Sequence, residues 1–227
     1  SLTTETILVE KEIKKMIKML PVWSRAKRVS SSLLNFPSRD FIVPEPYGNV
    51  LIITPWNYPF QLAMTPLVGA VAAGNTVVLK PSESSENTSL IVSEIINSVF
   101  DSSHVSVIQG DASVASTLLK KRWDYIFYTG STAVGKIVAK AAAENLTPTT
   151  LELGGKSPCI IDETVPIKKT AKRIVWSKYI NCGQTCIAPD YLVVQKNIKS
   201  ILVNNLINEI KSAFGKNPIN SPDYGRI

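Results

Sequence analysis

Apolar and polar positions follow two rhythms along this chain. Residues 4–21, TETILVEKEIKKMIKMLP, put Ile7, Ile13, Met16, Ile17 and Leu20 near one face of a helix and lysines over the other. A helix packed on a domain face is the ordinary use of such a pattern; a membrane-surface helix is the other. Pro21 is expected to end it. Residues 30–48, SSSLLNFPSRDFIVPEPYG, are polar and broken by proline, and predict a connector with little regular structure.

From Asn49 the rhythm changes. Short apolar, β-branched runs alternate with helical stretches. NVLIIT, TVVLK, HVSVIQ, YIFYT and TTLEL read as strands. The segments around PFQLAMTPLVGAVAA, NTSLIVSEIINSVF, DASVASTLLKKR and VGKIVAKAAAENL read as the helices between them. This order predicts an α/β fold with a mostly parallel, doubly wound sheet covered by helices on both faces. Such sheets bind ligands beyond the carboxyl ends of their strands. That rule singles out residues 54–57, 80–83, 129–131 and 152–155. After Gly155 the strands SPCIID and YLVVQ and the helices IKKTAKRIVWSKYIN and IKSILVNNLINEIKSAF predict the first part of a second α/β unit. The expected division is residues 1–153 and 154–227.

Composition narrows the classes. The chain has 227 residues, 44% hydrophobic and 19% charged, a globular balance. Its longest apolar stretch, MTPLVGAVAAG at 64–74, is too short to span a membrane. No basic segment leads into an apolar core at the start, so no secretory signal is expected. Three cysteines cannot all pair within the chain, which argues against a disulfide framework and for a reducing cytoplasm. The net charge of +7 raises the question of nucleic acid. The lysines, however, are spread over several helices, with Lys11, Lys14, Lys15 and Lys18 on one and Lys168, Lys169, Lys172 and Lys178 on another. No arginine-rich or aromatic-interleaved tract accompanies them, and a nucleic-acid partner is not expected.

Four strand ends carry candidate chemistry. YTGSTAVGK, residues 128–136, is a glycine-containing turn into a helix, where free N–H groups and the helix dipole favour phosphate. Ile137 stands where a P-loop needs Ser or Thr, and Thr132 where the dinucleotide fingerprint needs glycine. Ser131 can still offer a hydroxyl, while the glycines alone are compatible with a plain helix start. LKPSE offers Lys80 as donor and Glu83 as acceptor for ribose hydroxyls, or simply a solvated strand end. TPWNYP places Asn57 after Trp56, where its amide can meet an oxyanion or make a turn. LELGGKS sets Glu152 among apolar strand positions. If buried it has a raised pKa suited to a general base; if outward-facing it is an ordinary surface carboxylate. Gly154 and Gly155 allow close backbone approach.

NCGQTCIAPDY, residues 181–191, contains Cys182 and Cys186. A zinc site would need His104 and Cys159 as well, and those have no recognisable spacing. A Cys182–Cys186 disulfide does not suit a reducing compartment, and a buried structural thiol is the ordinary fate of a cysteine. Against that stands a set of an amide donor, Asn57, a carboxylate base, Glu152, and a thiol nucleophile, Cys186.

In order and spacing, PWNYPF, GNTVVLKPSE, FYTGSTAVGK, LTPTTLELGGKSP and NCGQTCIAPDY resemble the aldehyde dehydrogenase superfamily, and most of all its class 3 branch. The match runs from about Val50 to the last residue and is weaker before it. The resemblance implies a Rossmann-like NAD-binding domain over 1–153, with 41–48 as an oligomerisation strand, and an incomplete catalytic domain over 154–227. It implies oxidation of a medium- or long-chain or aromatic aldehyde to a carboxylic acid through a thioester on Cys186, with Asn57 and the Cys186 N–H holding the oxyanion and Glu152 activating water. Lys80 and Glu83 would hold the adenine ribose, and Ser131, with Gly130, Gly135 and Trp56 around it, the rest of the cofactor. Glu83 favours NAD by repelling a 2′-phosphate, with NADP left open. Family members are roughly twice this length. The segment that orients the nicotinamide ribose, most of the substrate tunnel and the C-terminal strand of the family homodimer are therefore expected to lie outside this chain. The alternative is a nucleotide-binding fragment of such an enzyme, inactive by itself.

Overall fold

The computed structural model describes residues 2–225. The chain divides into two compact units, Ser1–Glu152 and Leu153–Ile227.

The first unit opens with helix α1 (Ile7–Trp23), whose Val9 is buried in the core. Pro21 does not end α1. It lies in the last turn, where a missing N–H forfeits a single helical bond, and the helix continues to Trp23. The connector also holds more order than its composition predicts. Strands β1 (Lys27–Val29) and β2 (Asp40–Ile42) pair antiparallel, Lys27 opposite Ile42 and Val29 opposite Asp40. Strands this short give no readable alternation. Of residues 41–48, only Phe41 and Ile42 are in a strand.

The main sheet is built from β3 (Asn49–Ile53), β4 (Thr76–Lys80), β5 (Val105–Val107), β6 (Tyr125–Gly130) and β7 (Thr149–Leu153), in the order β5-β4-β3-β6-β7. The β3–β4, β3–β6 and β4–β5 pairings are parallel. The helices between them are α2 (Gln61–Ala72), α3 (Glu86–Val99), α4 (Ala112–Leu119) and α5 (Thr132–Ala143). The expected α/β architecture is the one observed. Alternate strand residues face opposite sides. Val50, Ile52, Val77, Leu79 and Val105 share one face and pack with Ala63, Met64 and Leu67 of α2 and Val92 and Ile96 of α3. Leu51, Ile53, Ile126 and Tyr128 share the other face and are also buried. Val138 and Ala142 are the buried side chains of α5, which packs on β6.

The second unit pairs β8 (Ser157–Ile161) with β9 (Pro189–Val194) in parallel, Cys159 opposite Leu192 and Ile161 opposite Val194. Helices α6 (Ile167–Tyr179) and α7 (Lys199–Phe214) complete it. Its core joins Ile161, Ala171, Ile174 and Leu202, with Cys159, Leu192 and Val194 packed against them. Among the described residues, no helix is long and apolar enough to cross a membrane.

Candidate functional site

Strand order in the main sheet reverses at β3: β4 and β5 follow on one side, β6 and β7 on the other. A reversal of this kind leaves a crevice beyond the carboxyl ends of the strands. Three of the four strand ends singled out in the sequence, those of β3, β4 and β6, meet at that point. Ile53 is level with Lys80 on one side and with Tyr128 on the other, so these three side chains share a rung and a face.

Lys80 is 3% exposed, and its Nζ donates to Glu83 Oε2 at 2.8 Å. A buried ammonium requires such a partner. The same bond holds the Glu83 carboxyl below the usual glutamate range, against the opposing effect of its partial burial. An ammonium has three hydrogens, so this bond leaves donor capacity for a ligand. The turn after β4 is tied to the turn after β3, because Ser85 Oγ donates to the Trp56 carbonyl at 3.1 Å. Trp56 itself is exposed, and Asn57 next to it is half-buried. Thr54 Oγ1, at the end of β3, is buried without a hydrogen-bond partner.

Ser131 is the N-cap of α5. Its backbone is extended, its Oγ accepts from Val134 N at 3.3 Å, and its carbonyl accepts from Gly135 N at 2.9 Å. As an acceptor in the cap, the hydroxyl keeps its own hydrogen for a ligand. Gly130 precedes it at the end of β6, and Gly135 is buried within the first turns of α5. A buried ammonium beside an ionised carboxylate, close to a capped helix N-terminus at the same sheet edge, suits a ligand with ribose hydroxyls and a diphosphate.

Glu152 departs from the buried alternative. It is exposed, on β7 at the edge of the sheet.

Cys186 belongs to the second unit and is an exposed, free thiol. Its loop is unusual. Asn181, Cys182 and Gly183 have φ of 50°, 56° and 81°, three successive left-handed residues of which only Gly183 lacks a steric penalty. The Cys182 thiol donates to the Gly225 carbonyl at 2.8 Å, and the Gln184 amide donates to the Asn181 carbonyl at 3.1 Å. The close approach expected at Gly154 and Gly155 is realised at Gly155, where any side chain would collide with the Cys186 carbonyl. Cys159 is half-buried against the core. Among the described residues no group of three His, Cys, Asp or Glu side chains could hold a metal ion.

Sequence reasoning passed over two residues. Glu5 accepts hydrogen bonds from Phe60 N at 2.9 Å and Gln61 N at 3.2 Å, capping α2 from a distant part of the chain. No local signal could have found it. Tyr128 lies beneath the Gly130–Ser131 turn; the hydroxyl on an otherwise apolar strand end was its available signal.

A model of the aldehyde dehydrogenase family matches residues 4–225. The chain is 48% identical over 224 residues to the 4,4'-diaponeurosporen-aldehyde dehydrogenase of Staphylococcus aureus, covering 99% of this chain and 49% of that protein. It is 51% identical over 223 residues to aldehyde dehydrogenase family 3 member A2 of Macaca fascicularis, covering 98% of this chain and 46% of that one. A solved structure of the substrate-bound state of Staphylococcus aureus AldH superposes with a TM-score of 0.94 at 48% identity, over 99% of this chain and 49% of that chain. A Mycobacterium tuberculosis aldehyde dehydrogenase complexed with NAD+ gives 0.79 at 29% identity, over 89% of this chain and 42% of that one. The chain spans about half the length of the curated relatives it matches.

Proposed function

The chain belongs to the aldehyde dehydrogenase family, and from that premise we propose that the whole protein oxidises an aldehyde to a carboxylic acid with a nicotinamide cofactor. The observation that carries this reading is the free, exposed Cys186 thiol, set after a loop of successive left-handed residues. Strain of that kind is kept where a side chain must be presented in one orientation.

Each residue has a role that its chemistry allows. The Cys186 sulfur attacks the aldehyde carbon. The Asn57 amide and the Cys186 N–H donate to the resulting oxyanion. NAD, when bound, supplies the hydride acceptor. The acyl group then stays on Cys186 Sγ as a thioester. Glu152 takes a proton from the water that cleaves it, the carboxylic acid leaves and the thiol is restored. Lys80 and Glu83 would hold the adenine ribose, Ser131 and the α5 N-terminus the diphosphate, with Gly130, Gly135 and Trp56 shaping the crevice. Ionised Glu83 opposes a 2′-phosphate, which favours NAD over NADP. A homodimer and a cytoplasmic setting complete the proposal.

The test is reduced-cofactor formation by the whole protein with a medium-chain aldehyde, with NAD and NADP compared. Turnover with NAD that Cys186→Ala abolishes is the expected result. Turnover that survives that substitution overturns the nucleophile assignment. A second reading, cofactor binding without turnover by these 227 residues alone, is favoured by the exposed apolar face of the β8–β9 sheet, where Ile160 is 77% exposed. NAD binding by this chain with no product formed would support it.

A further inference from the structure

Gly130 has an ordinary backbone, so its glycine is not there for a left-handed turn. It is there because of what lies beneath it. A side chain at 130 would run into Tyr128 Oη and Cζ. Tyr128 is 4% exposed, and its hydroxyl donates to the Ser131 carbonyl at 3.3 Å, longer than is usual for such a bond. That carbonyl also accepts the first helical bond of α5, from Gly135 N at 2.9 Å. Its two lone pairs are thus held from two directions, and with them the orientation of the peptide that opens α5. Burial pushes the Tyr128 phenol above its ordinary value, so the group stays a neutral donor. Tyr128 also lies on the same rung and face as Lys80, two strands away across β3.

Resting on the reading of this crevice as the cofactor site, we infer that Tyr128 is a positioning residue for the cofactor diphosphate: its ring fills the space beneath Gly130 and its hydroxyl fixes the Ser131 carbonyl, aiming the first N–H groups of α5 at the phosphates. The ribose end of the crevice, at Lys80 and Glu83, does not depend on that hydroxyl. Removing it therefore weakens ligands in proportion to what they present at the helix N-terminus.

Equilibrium titration of the full chain with adenosine and with ADP-ribose separates the two ends, since only the second carries the diphosphate. In Tyr128→Phe the ADP-ribose dissociation constant should rise roughly three- to tenfold, the effect of one lost hydrogen bond. Adenosine should bind as before, within about a factor of two, which also reports that the crevice is still folded. Equal weakening of both ligands would make Tyr128 a structural residue only and overturn the inference, as would no change in either. A parent chain that binds neither ligand overturns the cofactor reading itself, and the inference with it. As a second variant, Gly130→Ala should cost ADP-ribose affinity more in the parent chain than in the Tyr128→Phe background, where part of the obstruction is gone. Equal costs in the two backgrounds would count against a role for the hydroxyl.

Discussion

The two parallel sheets of this chain meet solvent differently. In the first, Leu51 and Ile52 are neighbours on β3 that point to opposite faces, and both are fully buried. In the second, Ile161 is 2% exposed, while Ile160 beside it is 77% exposed and Val193 on the paired strand 50%. Parallel sheets are ordinarily covered on both faces. The first unit meets that requirement from its own helices, and Lys80, Ser131 and Asn57 lie at or just beyond the ends of its buried strands. The second unit covers one face from α6 and α7, and it carries the exposed Cys186 thiol after a loop of left-handed residues instead. Under the proposed function, binding and reaction would rest on scaffolds of different closure.

The largest effect that could break this comparison is expected at Leu51. Leu51→Ala leaves a cavity under a fully buried side chain and should cost about 2–5 kcal/mol. Amide hydrogen exchange resolves where that loss is felt. Protection should fall in β3, β4 and β6 and stay unchanged in β8 and β9. An equal fall in both sheets would mean that the units open as one body, and the contrast between them would lose its energetic content.

A smaller effect sharpens what the closed sheet does for binding. Glu83 is held below the usual glutamate range by Lys80. A depressed carboxyl contributes fully above its unfolded value and is lost as pH falls through its folded one. Cofactor affinity should therefore be flat through neutral pH and fall only on the acid side of the ordinary glutamate range. Titrations of NAD across that range check this, with Glu83→Gln as the comparison. The variant should bind more weakly at neutral pH and lack the acid limb. An affinity that already declines near neutrality would show that another group controls the ribose end.

Much of the first unit was legible because its signals are local. Strand–helix alternation and the polar residues after each strand are written within a few positions of one another. That was enough to put Lys80, Glu83 and Ser131 at or just beyond the ends of β4 and β6 in one sheet. Features that depend on topology were not legible. Glu152 is exposed on β7 at the sheet edge, and nothing in TTLEL tells an edge strand from a central one. Glu5 caps α2 across more than fifty positions of sequence. The β1–β2 pair is too short to show a period. The Cys186 loop lies between these cases. Asn181 and Gly183 are residues that tolerate left-handed backbone, but the third member, Cys182, carries no such mark.

The smallest expected change in stability falls on the open face of the second sheet. Ile160 is mostly exposed, so Ile160→Ser gives up little burial and should alter folding stability by no more than about 0.5 kcal/mol. Its consequence lies in association. Ile160, Val193 and Tyr191 give β8 and β9 an exposed apolar surface, and surfaces of that kind drive contact between copies in solution. Sedimentation of the 227-residue chain over a range of concentrations should therefore show self-association that Ile160→Ser reduces, with thermal unfolding nearly unchanged. The same substitution should leave adenosine and NAD binding alone, because the residues proposed to hold them lie on the closed sheet. If association persists undiminished, the open face is not what brings copies together, and the exposed apolar side chains of the β1–β2 connector, Leu33, Leu34 and Phe36, become the surface to change next.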